Sequence, residues 1–426
     1  MIQTFCKAAY YGGYTASTQY LGVLDGLGDM TRAIVFGIDS ARHPVSVTGT
    51  FRNLTIYSRN TTERTFPVTV TLMVNGIASS LAVTLTSGGT SASETSTDVA
   101  VSAGDDVCYR IVGSSAFAPG YELGFSIELE GASNCYAICS DAGGYTDGNG
   151  DYGGALGNGT LMTYGTGTPN DSNTFSICSV AGSIVRLDAK AFSGAPGAGV
   201  WTSYIQLNGV LQDGAGGTVD TSCVITGTDE EAFSTFTLPL AIEDHVEMVV
   251  MRTGGSAGFA NSHVAMSIAF TPTTTGQYML TGGSADTIPS GTTAWKWNRS
   301  LQNAPAEVEH TAPVGPRGIR VRGLYVERHG APGMGTSYEN TVRRNEADTI
   351  ATVTVSDLDT GGLVVASVSF GAGDTISIQS TPINSPGVSK LYWGLALEAL
   401  DAADTPQLGV IGPIAWVEEW EREPSV

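Results

Sequence analysis

The strongest constraint on this chain is a phrase that it writes twice. GAPGAGVWTSY runs from Gly194 to Tyr204, and GAPGMGTSY runs from Gly330 to Tyr338. A catalytic loop has little reason to be duplicated, whereas a folding unit does. Each copy is preceded by a strand-like stretch: SIVRLDAKAFS (183–193) and GIRVRGLYVERH (318–329). In the second of these, Ile319 and Val321 alternate with Arg320 and Arg322, the period of a half-buried strand. Each copy is followed by a second strand that ends on an Asn, at Asn208 and Asn345.

A third copy lies upstream. GTFRNLTIYSRN (49–60) supplies its first strand, and VTVTLMVNG (68–76) the second, ending on Asn75. Val70, Leu72 and Val74 share one face of that strand, and Thr69, Thr71 and Met73 take the other. Asn75–Gly76 and Asn208–Gly209 are hairpin signals, because both residue types tolerate positive φ. Downstream the copies stay in step through turns at Asp105, Asp244 and Asp374, and through closing strands FSIELE, VAMSIAF and LYWGLALEAL. The matching Asn positions are roughly 135 residues apart, the size of a domain with its own core rather than a solenoid repeat. The openings GGYTASTQYLG (12–22) and GGYTDGNGDYGG (143–154) also match, with GQYMLTGG (276–283) a weaker third.

The expected fold is therefore all-β: three tandem antiparallel β-sandwich domains with jelly-roll-like connections, at residues 1–133, 134–273 and 274–426. Strand order cannot be read from the sequence. The GAPG phrase reads as a corner between the first two strands of each sandwich, where Gly and Pro supply special φ values. In the first repeat SRNTTERTFP stands in its place. Fifty-five glycines and only 14% charged residues agree with short strands joined by many turns.

Forty-one acidic residues oppose 20 basic ones, a formal net charge of −21. Such a surface repels a phosphate backbone, so no nucleic-acid partner is expected. No apolar run reaches the ~18 residues of a membrane span, and no membrane partner is expected. The opening MIQTFCKAAYYGGYTAS has no continuous apolar core, so it does not read as a secretory signal, and synthesis in a cytoplasm is expected. Six cysteines include a CxxxC pair, Cys135 and Cys139, with no histidine or second pair nearby to complete a zinc set. They read as free, partly buried thiols, with a disulfide as the alternative.

The five histidines do not recur at matching repeat positions, and no nucleophile elbow, zinc helix, phosphate loop or dinucleotide fingerprint is present. The expectation is a non-enzymatic protein. Glycan cleavage is the contending activity, since it needs only two carboxylates. DGNGDYGG sets Asp147, Asn149 and Asp151 at alternate positions, a spacing that can wrap Ca²⁺. Tyr152 stands where a calcium loop wants Gly and no Glu closes the loop, so a polar Gly-rich turn without cofactor is the preferred reading. Tyr11, Tyr14 and Tyr20 crowd the first repeat's opening, and Trp416 and Trp420 lie in the tail PIAWVEEWEREPSV. These are interface candidates, able to stack on glycan rings or anchor a protein contact. Packing between neighbouring repeats is the preferred reading of the tyrosines, with the interface role as the alternative. The tail follows the last sandwich and reads as a docking segment for that repeat or for another subunit.

The third repeat carries a family likeness. YENTVRRNEADTIATVTVSDLDTGGLVVASVSFGAGDTISIQSTP, followed by LYWGLALE, resembles a module of tailed-bacteriophage virion structural proteins. In that module an Asn-turned hairpin leads to a Gly-Asp turn and a final amphipathic strand. The likeness covers about 75 residues strongly; the second repeat departs from it with AIEDHV at the Gly-Asp turn. The resemblance implies a structural virion component on the particle surface, made in the host cytoplasm and often homotrimeric. A capsid decoration or head-surface protein docking on the major capsid or another virion protein fits best. A host- or glycan-binding fibre and an extracellular filament or cell-surface subunit are the alternatives. No functional residue carries over, because the motif is architectural.

Overall fold

The computed structural model describes residues 2–11, 18–23, 42–58, 66–113, 121–142, 152–155, 162–163, 176–192, 199–227, 229–253, 263–283, 287–296 and 312–400. Thirty strands and one short 3₁₀ turn occur among them, and no α-helix. The first repeat has β1 (Ile2–Tyr11), β2 (Thr18–Gly22), β3 (His43–Pro44), β4 (Gly49–Ser58), β5 (Val68–Val74), β6 (Ile77–Leu85), β7 (Ser91–Glu94), β8 (Val99–Val101), β9 (Asp106–Gly113) and β10 (Tyr121–Gly131). One sheet runs β1-β10-β4-β7, with β8 also on β4. The other runs β2-β9-β5-β6, with β3 also on β9. All the pairings are antiparallel.

The second repeat has β11 (Tyr136–Ala142), β12 (Tyr152–Ala155), β13 (Met162–Thr163), β14 (Ser176–Ile177), β15 (Gly182–Phe192), β16 (Val200–Leu207), β17 (Val210–Leu211), β18 (Cys223–Thr226), β19 (Glu231–Leu240), β20 (His245–Thr253) and β21 (His263–Pro272). The third has β22 (Gln277–Gly283), β23 (Ala294–Lys296), β24 (Ala312–Pro313), β25 (Ile319–Arg328), β26 (Gly333–Arg344), β27 (Ala347–Asp357), β28 (Gly361–Phe370), β29 (Thr375–Ile383) and β30 (Leu391–Ala399). Their sheets repeat the first pattern: β11-β21-β15-β19 opposite β12-β20-β16, then β22-β30-β25-β28 opposite β23-β29-β26-β27. Among the principal strands of each repeat, the first, eighth, third and sixth form one sheet. The second, seventh, fourth and fifth form the other. This is jelly-roll connectivity, in which the chain alternates between sheets and buries a core between them.

The Asn and Asp positions matched by sequence are joined in space. Asn75 Nδ2 donates to Asp105 Oδ1 at 2.8 Å, Asn208 Nδ2 to Asp244 Oδ1 at 2.8 Å, and Asn345 Nδ2 to Asp374 Oδ1 at 2.6 Å. Each Asn Oδ1 accepts from the amide that follows the Asp, on Asp106, His245 or Thr375. The three Asn residues hold φ of 50°, 51° and 52°, and Gly76, Gly209 and Glu346 follow at 76°, 78° and 65°. Two successive positive φ values are what a tight hairpin turn needs. The Asp also accepts from an upstream amide at 2.7 Å in all three repeats.

Two sequence expectations need correction. In the third repeat GAPG is not a corner between the first two strands of a sandwich, and the copy at 194–197 lies outside the described residues. In the third repeat it joins β25 to β26, after two principal strands have already formed, and carries the chain from one sheet to the other. Openings such as β23, three residues long, and β12 and β22, rich in Gly, carry little alternation to read. The special φ values are present: Gly333 sits at 104° and Gly335 at 74°. The alternation in GIRVRGLYVERH also does not run through. The register with β30 shifts between Val321 and Gly323, and after the bulge Leu324, Tyr325, Val326 and Arg328 are all buried, with only Glu327 left half-buried among them. β4 and β15 carry register shifts at corresponding places.

The repeats are not beads on a string. The segment beginning at β3 packs on β11, β21 and β15 of the second repeat. The segment beginning at β14 packs on β22, β30 and β25 of the third, and β24 packs on β1, β10 and β4 of the first. The same short segment of each repeat thus docks on the same three strands of the next. The third docks back on the first, which closes a ring with pseudo-threefold symmetry. Core residues run continuously from Tyr136 and Ile138 in the second repeat to Leu395 and Leu397 in the third.

Candidate functional site: the joints of the ring

The joints are built from HPVSVTG (43–49), SICSVAG (176–182) and APVGPRG (312–318), which occupy equivalent positions. Each docking segment is held to its own repeat beside the Asn–Asp clamp. The amides of Val45, Cys178 and Val314 donate to the carbonyls of Asp105, Asp244 and Asp374. The clamp therefore fixes the docking segment as well as the hairpin.

In the first joint Ser267 Oγ donates to Ser46 Oγ at 2.9 Å, buried between β21 and the docking segment. Gln3 Nε2 donates to the Ala137 carbonyl at 2.8 Å and its Oε1 accepts from the Ala137 amide at 3.0 Å. Lys190 Nζ lies 2.9 Å from Asp106 Oδ2, an almost wholly buried carboxylate that Arg42 Nη2 also reaches at 2.7 Å. In the second joint the equivalent of Ser267 is Gly394. A side chain there would run into Ile177 O at 2.7 Å and Ser179 Cβ at 3.1 Å, so the close approach requires glycine. Thr281 donates to Ser176 at 3.2 Å, the Tyr136 and Tyr278 rings sit 5.4 Å apart, and His245 Nε2 meets Glu327 Oε2 at 2.5 Å.

The closing joint has a different chemistry. Glu128, on β10, is completely buried. Its Oε2 accepts from Asn53 Nδ2 at 2.6 Å and lies 3.2 Å from Arg317 Nε. Burial pushes its carboxyl upward, although Asn53 and Arg317 pull the other way. The equivalents of Glu128 in the other joints are Ala269 and Ala396. Gly315 stands where the other repeats have Ser46 and Ser179. It faces Thr4 Cγ2, Ser126 Oγ and Glu128 Oε1, at 3.3, 3.5 and 3.7 Å from where a Cβ would stand. Thr4 Oγ1, Ser126 Oγ and Glu128 Oε1 are all buried without a protein hydrogen-bond partner.

The joints are thus equivalent in backbone and distinct in side chains. Asp106, His245 and Thr375 share one position, and their counterparts across the joints are Lys190, Glu327 and Tyr57. Docking the first repeat on the third instead of the second would set Asp106 against Glu327. Like charges brought together in a partly buried contact oppose that arrangement.

Of the interface candidates, Tyr20 lies on β2 and packs, half-buried, against Met73 and Cys108 of its own repeat. Tyr11 ends β1, with its Cα paired to that of Tyr121. Tyr14, Trp416 and Trp420 lie outside the described residues, as do Asp147, Asn149 and Asp151. Among the described residues no group of three or more His, Cys, Asp or Glu side chains is placed to hold a metal ion, and no helix is long and apolar enough to cross a membrane. Cys108, Cys135, Cys178 and Cys223 are free thiols. Sequence reading missed Arg328. It lies fully buried in the third repeat over the Tyr338 ring at 3.4 Å, bonded to Asn340 at 3.0 Å and Ser380 at 2.5 Å. Burial brings its pKa down to about 9. The bulge turns Arg328 inward, and alternation in the sequence does not reveal it.

No family model and no curated protein matches the chain. Among solved structures it is similar to one described as "Life in the extremes: atomic structure of Sulfolobus Turreted Icosahedral Virus". Identity is 12% over 83% of this chain and 80% of that one, with a TM-score of 0.19. A second, "The Triple Jelly Roll Fold and Turret Assembly in an Archaeal Virus", gives 12% identity over the same shares and a TM-score of 0.17. At such identities and scores neither likeness bears on what this chain does.

Proposed function

We propose that the protein is a non-enzymatic structural component of a virion, exposed on the particle surface and docked on the major capsid or another virion protein. The observation that carries this reading is the closed ring. The side chains that recur at equivalent positions, Asn75/Asn208/Asn345 and Asp105/Asp244/Asp374, tie turns to docking segments, so what is repeated serves architecture. The tailed-phage likeness of the third repeat supports the virion assignment, and a strongly acidic surface suits the outside of a capsid better than its genome-facing side. Three jelly rolls in one chain supply the threefold module that separate subunits of a trimer would supply. Self-association of whole chains into a homotrimer is a second level of the same proposal, which native mass measurement separates from a lone ring.

The test is to locate the protein on the particle. Electron microscopy of virions labelled with an antibody to this chain should place it on the outer surface. Particles made without it should still enclose genome but lose it at a lower temperature. Absence of the chain from purified virions would overturn the proposal.

A further inference from the structure

Thr4, Ser126 and Glu128 share one face of the β1–β10 pair, the face on which the third repeat docks. Thr4 sits directly opposite Glu128, and Ser126 lies two residues from Glu128 along β10. These residues are 3%, 0% and 0% exposed, and Thr4 Oγ1, Ser126 Oγ and Glu128 Oε1 have no hydrogen-bond partner in the protein. Ser126 Oγ and Glu128 Oε1 face Gly315 of the docking segment, 3.5 and 3.7 Å from where a Cβ would stand. A buried oxygen left without a bond is destabilising, and three at one contact call for a shared partner.

The other joints show what that partner replaces. Ser267 is the counterpart of Ser126, and Ser46 brings a hydroxyl to within 2.9 Å of it. Gly315 stands in the place of Ser46, so Ser126 lacks the hydroxyl that would meet it. The counterparts of the Thr4–Glu128 pair are Ala137–Ala269 in the first joint and Met279–Ala396 in the second, apolar pairs that need no partner. The closing joint therefore has one hydroxyl fewer on the docking side and two polar side chains more on the other.

Charge and donor count decide the occupant. Glu128 Oε2 accepts from Asn53 Nδ2 at 2.6 Å and faces Arg317 Nε at 3.2 Å, so the carboxylate already has its counter-ion. A metal cation would bring a second, uncompensated positive charge among buried groups. One carboxylate oxygen and two hydroxyls also fall far short of the roughly six to eight oxygens that Ca²⁺ takes. An ionised Glu128 Oε1 can only accept, whereas each hydroxyl can donate or accept. A neutral molecule with two donors and an acceptor satisfies all three.

We propose that one water molecule is a fixed component of the closing joint, bonded at once to Glu128 Oε1, Ser126 Oγ and Thr4 Oγ1, where the Ser46 hydroxyl reaches in the first joint. It donates to Oε1 and to one hydroxyl and accepts from the other, about three bonds, the usual number for a buried water. The first joint thus meets through a serine pair and the closing joint through solvent. High-resolution crystal structures of the full chain and of Gly315→Ser test this. The natural protein should show one solvent peak about 2.6–3.0 Å from all three oxygens, and in the variant the serine Oγ should replace it. A contact without a peak, in which Ser126 Oγ bonds Glu128 Oε1 directly, would overturn the proposal. A peak unmoved beside the new serine would overturn its placement where Ser46 reaches. Melting temperatures in sodium, potassium and choline chloride at equal ionic strength should coincide. A rise in one metal salt that Glu128→Gln abolishes would mean that a cation holds the joint, and would overturn a neutral occupant.

Discussion

Asn345 Nδ2 donates to Asp374 Oδ1 at 2.6 Å, while its Oδ1 accepts from the Thr375 amide at 2.8 Å. One side chain thereby closes a hairpin and anchors the turn that holds a docking segment. Replacing Asn345 by Gly keeps the positive φ accessible and removes only the clamp. The expected loss is about 1–2 kcal/mol, read as a melting temperature lower by a few degrees. Asn75→Gly and Asn208→Gly should behave alike, since the geometry is the same. A neutral result at all three would mean that the clamp contributes nothing.

Gly315→Ser should stabilise the protein. The equivalent Ser46 makes a hydroxyl bond across its joint, whereas Ser126 and Thr4 face Gly315 without a protein partner. A serine hydroxyl there can satisfy one of them, a gain of about 1 kcal/mol. The added Cβ meets Thr4 Cγ2 at 3.3 Å, so a small local shift is required. Thermal unfolding decides the matter, and a lower melting temperature would show that the joint cannot yield.

Glu128 gives the closing joint a pH dependence. Its folded-state pKa lies above the usual glutamate range because burial disfavours the carboxylate. The sign follows: its contribution is full below the unfolded pKa and is lost as pH rises through the raised folded value. The stability of Glu128→Gln relative to the natural protein should therefore increase from acid pH towards neutrality. Denaturant titrations across that range measure it. A difference independent of pH would mean that Glu128 does not titrate there.

Cys178 and Cys223 should be inert in the folded protein. Burial pushes each thiol up to about 12, leaving almost no thiolate at pH 8. Iodoacetamide followed by mass spectrometry should modify neither until denaturant is added. Rapid labelling of Cys178 in native buffer would show that the second joint opens.

The repeat, the hairpin asparagines and the sandwich class were legible because they depend on local chemistry: paired positive φ at Asn75–Gly76, period-two alternation in VTVTLMV, and a recurring Asp turn. The ring was not legible. Ser46 and Ser267 are 221 positions apart and neither residue type signals a contact. Docking by segments as short as β3 and β14 leaves no hydrophobic period to detect. The inward turn of Arg328 depends on a bulge that alternation alone does not reveal, and the preceding Val321 and Arg322 look like an ordinary two-faced strand.

A trimer of separate chains dissolves on dilution, and each of its contacts must be the same. In this chain every partner arrives tethered, so the ring holds at a concentration where free subunits would part. Covalent continuity also releases the joints from symmetry. One could become a serine pair with a buried aspartate, another a glycine approach, the third a buried glutamate with an arginine. A mutation at one joint alters one contact of three, which leaves each face of the molecule free to evolve by itself.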